Sequence, residues 1–318
     1  MILNQISAFN DKEISKFTEV KSGYFLVKLL IMIGLIISSI TIILCTQGIV
    51  SFIFIIFLGL MYARALVLQH QCIHNTAFRS KQWNRRVGFL LGLPMLVSYT
   101  DYQIRHFRHH KLLGTSEDEE FFNYDYNSLN SIKFIIPHLL MFPHYKNVAI
   151  ALYKAIIYQP LEVVNAIPKG KSRIHNEYRL IFIFLLLILA LTICIPTTLF
   201  IKIWLIPLLF ANPTYALIEL PEHIGCEREV QDVFVNTRTI KASKLAVWFT
   251  DGNNYHVEHH WLPNVPNDRL PEIHNYIESK IKYLDFSYWS FYTKFVQNIF
   301  NKQTFDSENH VTSLNHKT

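Results

Sequence analysis

Four runs of about 20 apolar residues constrain this chain more than anything else in it. A helix that crosses a bilayer needs roughly that length. The runs at 24–45, 49–68, 180–199 and 203–220 reach it. Inside a bilayer the backbone must satisfy its own hydrogen bonds, and a continuous apolar run does so as a helix. Only Thr46, Gln47 and Gly48 separate the first two runs, and only Phe200, Ile201 and Lys202 separate the last two. The expected fold is an all-α integral membrane protein with four transmembrane helices in two tight hairpins. The second run carries Arg64 near its end, and the fourth carries Pro207, Pro213 and a terminal Glu219.

The segment between the hairpins is not uniformly polar. Residues 87–97 and 132–142 are apolar but too short to span. Residues 149–167 are longer, yet they contain Lys154, Gln159, Pro160, Glu162 and Asn165. They read as interfacial helices lying against the membrane. The basic residues gather in the same segment: Arg79, Lys81, Arg85, Arg86, Arg105, Arg108, Lys111, Lys169, Lys171 and Arg173. The opposite side has Lys202 and little else. The positive-inside bias places both termini and the central segment in the cytoplasm. The net charge of +6 is therefore loop charge and does not point to nucleic acid. The expected organisation is a cytoplasmic extension over 1–23, a membrane domain over 24–285 with a cytoplasmic helical cap, and a cytoplasmic tail over 286–318. The polar first 22 residues do not read as a cleavable signal. Cys45, Cys72, Cys194 and Cys226 form no CxxC, so neither a zinc ribbon nor a dithiol motif is expected.

Chemistry enters with the histidines. Nine of the 15 fall in four clusters: His70 and His74; His106, His109 and His110; His223; and His256, His259 and His260. HxxxH puts two imidazoles one turn apart on one helix face, and HxxHH puts three there. Imidazole is the commonest metal ligand. Nine candidates exceed the needs of one four-coordinate zinc and suit two metal ions with open positions. A lone HxxxH means little. Two HxxHH boxes and an HxxxH, all beside spans, are not explained by structural need. The other six, His138, His144, His175, His274, His310 and His316, lack such spacing and read as surface or interfacial residues. Asp101, Glu222, Asp251, Asn254 and Glu258 are candidates to accept the far ring N–H of a ligand histidine. With orientation set by charge, every box lies on the cytoplasmic side. Transport sites lie near the bilayer midplane on broken helices, whereas these histidines sit at span ends. A histidine-rich, carboxylate-poor site suits iron that activates O2, since zinc has no redox chemistry.

The boxes together resemble those of the membrane fatty acid desaturase and hydroxylase family, over roughly residues 25–285. Asn253-Asn254-Tyr255-His256-Val257-Glu258-His259-His260-Trp261-Leu262-Pro263 is similar to that family's distal box and its flank. Pro221-Glu222-His223-Ile224-Gly225 resembles an element that supplies a further histidine in some bacterial members. Asn236-Thr237-Arg238-Thr239 resembles a segment of bacterial desaturase-like oxygenases, the rhizopine-oxygenase branch among them. The resemblance implies two Fe ions held by the nine histidines, with O2 as co-substrate. It implies an O2-dependent desaturase of a fatty acyl or other lipid substrate, with a hydroxylase on the same centre as the alternative. No His-Pro-Gly-Gly is present and the cysteines are too few for a ferredoxin module. A separate ferredoxin or cytochrome b5-type donor is expected. The bacterial likeness implies a bacterial inner membrane.

Overall fold

The computed structural model describes residues 16–119, 122, 132–161, 168–194 and 198–300. In chain order, α1 (Ser22–Cys45) and α2 (Gly48–Ile73) precede two shorter helices, α3 (Lys81–Gly92) and α4 (Tyr99–Leu112). Then come α5 (Ile132–Leu139), α6 (Phe142–Ile156), the long α7 (Pro168–Cys194) and α8 (Ile206–Glu219), which continues from a wide turn at Ile201–Leu205. Four helices are long and apolar enough to cross a membrane: α1, α2, α7, and the stretch Ile201–Glu222 that contains α8. Each leaves apolar side chains exposed for lipid to cover, such as Leu30 and Ile37 on α1, Ile183 and Leu187 on α7, and Leu209 on α8. None of the three shorter apolar stretches yields a fifth such helix among the described residues.

Two boundaries differ from expectation, each because tertiary contacts replace lipid. α2 runs on past Leu68 to Ile73, since Gln69, Gln71 and Cys72 are buried by protein. α7 begins at Pro168 rather than 180, and its polar first turns carry Glu177 and Tyr178 into contact with α4. α8 packs chiefly along α2. At that crossing a Cβ on Gly59 would lie 2.5 Å from the Pro207 carbonyl oxygen and 2.9 Å from Phe210 Cβ. Glycine there lets the two backbones touch, as small residues do between membrane helices. α7 lies mainly against α6 and α4, and meets the start of the fourth span through Phe184 and Trp204.

After α8 the chain builds a cap from α9 (Val233–Asn236), β1 (Arg238–Ile240), α10 (Lys244–Phe249), α11 (His256–Trp261), α12 (Leu270–Ile277), β2 (Tyr283–Asp285) and α13 (Tyr288–Phe300). β1 and β2 pair in parallel with Thr239 opposite Leu284. Phe291 and Phe295 of α13 are buried with Leu220, Ile224 and Ile240. Two cations inside apolar runs fasten the cap to the spans. Lys28 of α1 donates to Asp251 Oδ1 at 2.7 Å and Gln71 Oε1 at 3.0 Å. Arg64 of α2, fully buried, donates to the Trp248 and Phe249 carbonyls and lies over the Trp248 ring at 3.8 Å. Each of these two cations thus ties its span to the cap, Lys28 through Asp251 and Arg64 through the Trp248 and Phe249 carbonyls.

Candidate metal centre

Each histidine cluster has a local reason for its position. α2 carries His70 in its last turn and His74 at its C-cap, and Asn75 then takes a left-handed conformation (φ 59°) that ends the helix. Asparagine tolerates that conformation. α4 starts at Ser98, whose hydroxyl accepts from Asp101 N, and its next turns put His106, His109 and His110 on one face. α11 places His256, His259 and His260 in the same way. His223 follows the fourth span on a short loop. Arg238 grips that loop by donating to the carbonyls of Pro221 (2.7 Å) and Ile224 (2.8 Å), while ion-paired to Asp285 at 3.1 Å.

All nine histidines converge at the cap–span junction, in two groups. In the first, His70 Nε2 lies 2.9 Å from His106 Nε2, and His110 Nε2 lies 3.0 Å from both His106 Nε2 and His259 Nε2. His74 joins it, its ligand atom within 4.8 Å of those of His70, His106 and His259. In the second, His109 Nε2 lies 3.3 Å from His223 Nε2, and His260 Nε2 lies 3.1 Å from His256 Nε2. Glu222 adds a carboxylate oxygen 3.1 Å from His256 Nε2. The His110 and His260 rings stack at 4.1 Å, so the groups are adjacent.

These separations test whether the residues fit metal ions. Two nitrogens each about 2.1 Å from one ion are about 3.0 Å apart at right angles and about 3.4 Å apart at the tetrahedral angle. Most of the observed contacts sit at the right-angled value. Facing imidazole nitrogens so close, in a buried site, need a shared proton or cation. Burial, reinforced by neighbouring imidazoles, holds His74, His106, His110, His256, His259 and His260 well below the ordinary histidine range. Burial does the same to His223, with His109 adding to it. The rings are therefore neutral with lone pairs free to ligate. Far-side partners fix several of them. Asp118 lies 2.9 Å from His109 Nδ1, and the Asn236 carbonyl lies 3.1 Å from His223 Nδ1. Both turn Nε2 inward. A cleft of about 20 Å³, room for a water molecule, opens beside both groups between Tyr102, Phe122, Glu219 and Glu222.

A family model described as "Fatty acid desaturase" matches residues 48–292, more than three quarters of the sequence. The chain belongs to the fatty acid desaturase family. It is 26% identical over 220 residues to a dihydrorhizobitoxine desaturase of Bradyrhizobium elkanii, covering 64% of this chain and 61% of that one. It is 25% identical over 233 residues to a fatty acid desaturase of Bacillus subtilis, covering 68% of this chain and 64% of that one. A shorter match, 34% over 68 residues, covers 21% of this chain and 19% of an sn-1 acyl-lipid omega-3 desaturase (ferredoxin) of Nostoc. The chain spans less than two thirds of the length of each of these relatives.

Within this desaturase fold, the partners expected of the ligands are largely different residues. Among the described residues, only Glu222 of the five candidates touches a box histidine, and it does so on the ligating side. Asp101 accepts from Arg105 and Tyr178, Asp251 from Lys28, and Asn254 bonds Thr250 and the Ile240 carbonyl. Glu258 is fully buried and accepts from Thr239 Oγ1 at 2.6 Å and His274 Nδ1 at 2.5 Å. His274 is accordingly a buried anchor of α11 and not a surface residue. His138 and His144 are buried as well, His144 facing the Met95 carbonyl at 3.0 Å. His175 is half-exposed, and His310 and His316 lie outside the described residues. Sequence reasoning missed Asp118, although the acidic run at 117–120 directly after the second box was a visible signal.

Proposed function

We propose that this protein is an O2-dependent membrane desaturase of fatty acyl lipids, with two iron ions held by the nine histidines and electrons taken from a separate donor. The observation that carries the reading is the two adjacent groups of inward-turned Nε2 atoms, mostly at right-angled ligand spacing. His70, His74, His106, His110 and His259 would hold one ion. His109, His223, His256 and His260, with Glu222, would hold the other. Iron in these positions would supply the redox chemistry by which O2 takes hydrogen from an unactivated C–H bond.

The protein's own part is positioning and shielding. Neutral, buried imidazoles present lone pairs without a proton to displace. Asp118 and the Asn236 carbonyl hold His109 and His223 in one ring orientation and raise their basicity. The cap closes over the centre through Lys28–Asp251 and Arg64–Trp248, which limits water access. Desaturation removes two hydrogens from the alkyl chain and, with two electrons and two protons, converts O2 to two waters. The names of the relatives, all desaturases, favour loss of hydrogen over insertion of oxygen. A ferredoxin or cytochrome b5-type protein suits the donor role. The distribution of basic residues favours boxes facing the cytoplasm of a bacterial inner membrane.

The test is mass spectrometry of lipids from cells expressing the protein with a ferredoxin donor, beside a His106→Ala control. The expected product is lighter by about two mass units, the loss of two hydrogens, and is absent from the control. A product heavier by about sixteen, one oxygen gained, would make the protein a hydroxylase.

A further inference from the structure

A second cleft lies away from the histidines, between α3 and α7, with a volume of about 230 Å³. That is several times the roughly 30 Å³ a water molecule occupies in the liquid. Arg85 and Arg86 reach it from α3, and Arg173 and Asn176 from α7. None of the three arginines has an ion-pair partner among the described residues; Arg86 rests only over the Trp83 ring at 5.7 Å. The one carboxylate on the wall, Glu177, is turned away toward α4. It accepts from Ser98 Oγ at 2.7 Å, Thr100 N at 2.8 Å and Thr100 Oγ1 at 2.6 Å. Arg85 interacts electrostatically with Glu177, so one buried carboxylate offsets only part of the charge of three guanidinium groups around the cleft.

The other rim is apolar. Phe89 and Leu180 line it, and it runs onto side chains exposed for lipid: Leu90 and Trp83 on α3, Ile183 and Leu187 on α7. An exposed tryptophan on a short helix beside a span marks the headgroup level of a bilayer. Positive charge above and apolar surface below match an amphiphile with an anionic head. Guanidinium is the side chain best suited to phosphate.

We propose that this cleft seats the phosphate of an anionic membrane phospholipid, held by Arg85, Arg86 and Arg173, with its acyl chains along Leu180 and α7.

The test uses the full-length protein in a neutral detergent and needs no turnover. Lipid retention by native mass spectrometry and the thermal unfolding midpoint are measured with phosphatidylglycerol, phosphatidylcholine or glycerol phosphate added. Phosphatidylglycerol is expected to bind and to raise the midpoint most. Arg85→Gln with Arg173→Gln weakens its retention by about tenfold or more, since two charge-assisted contacts are lost. Lys169→Gln with Lys171→Gln removes as many charges from the start of α7, outside the cleft, and leaves retention unchanged. The single exposed Arg173→Gln repeats the measurement should the double variant not fold. Equal retention in the arginine variants, equal loss in the lysine variant, or phosphatidylcholine binding as well as phosphatidylglycerol would overturn the site. Glycerol phosphate protecting as strongly as the lipid would overturn the lipid as its occupant.

Discussion

Glu258 sits inside the third histidine box yet faces away from the centre, and its removal gives a quantitative test of how that box is held. The residue is 0% exposed and accepts two hydrogen bonds, from Thr239 Oγ1 and His274 Nδ1. Glu258→Ala leaves both donors buried without that partner; Thr239 is 0% and His274 5% exposed. Each orphaned buried group costs about 1–3 kcal/mol, so the loss is about 2–6 kcal/mol. His274→Ala alone leaves the buried carboxylate with one partner fewer. The cycle Glu258→Ala, His274→Ala and the pair isolates their coupling, for which about 1.5–3 kcal/mol is expected of a bond to a charged group. The assay is unfolding of the metal-free protein by titrated SDS, followed by intrinsic fluorescence. A coupling within about 0.5 kcal/mol of zero would refute the anchoring role, because that is the scatter of independent sites.

Other contacts in the fold carry further expected outcomes. Asp118→Ala frees the far side of His109 and is expected to weaken iron retention about 10–100-fold in the His109–His223–His256–His260 group only, read as one iron lost early to a chelator; unchanged extraction would contradict it. Gly59→Val forces a side chain against Pro207 and Phe210 and should cost at least about 1–3 kcal/mol in SDS-titrated unfolding; no change would contradict the α2–α8 backbone contact. The metal-free protein should also lose stability in acid. Burial holds His106, His259 and His260 below their ordinary value of 6.5, so the unfolded chain takes up protons that the folded chain does not. These groups cost nothing above that value and progressively more as pH falls below it toward their folded values. The unfolding midpoint should drop from about pH 7.5 to about pH 5.5, and a flat or rising midpoint would contradict the buried neutral rings.

Much of this was legible in one sequence because the determining patterns are local. Twenty apolar residues in a row mark a span, and histidines at i, i+3 and i+4 share a helix face wherever the helix lies. His223 was readable because it directly follows a span. What was not legible depends on distant partners. The extension of α2 through Gln69 and Gln71 needs protein to bury polar residues that lipid would reject. The pairing of α8 with α2 turns on Gly59, one small residue that looks like any other in an apolar run. Glu258 resembled a partner for the ligands beside it. A helix so short gives its middle residue a different face, and that face found His274, 16 residues away. Asp101, Asp251 and Asn254 lie close in sequence to boxes but are used to cap or tether the elements that carry them.

The most direct test of the account is the metal content of the protein purified from iron-replete cells. Two irons per chain are expected. The double variant His223→Ala with His260→Ala should keep close to one, while His70→Ala with His106→Ala should lose the other. Zinc in place of iron, a single ion in the unaltered protein, or the same loss from both variants would contradict two adjacent histidine sites.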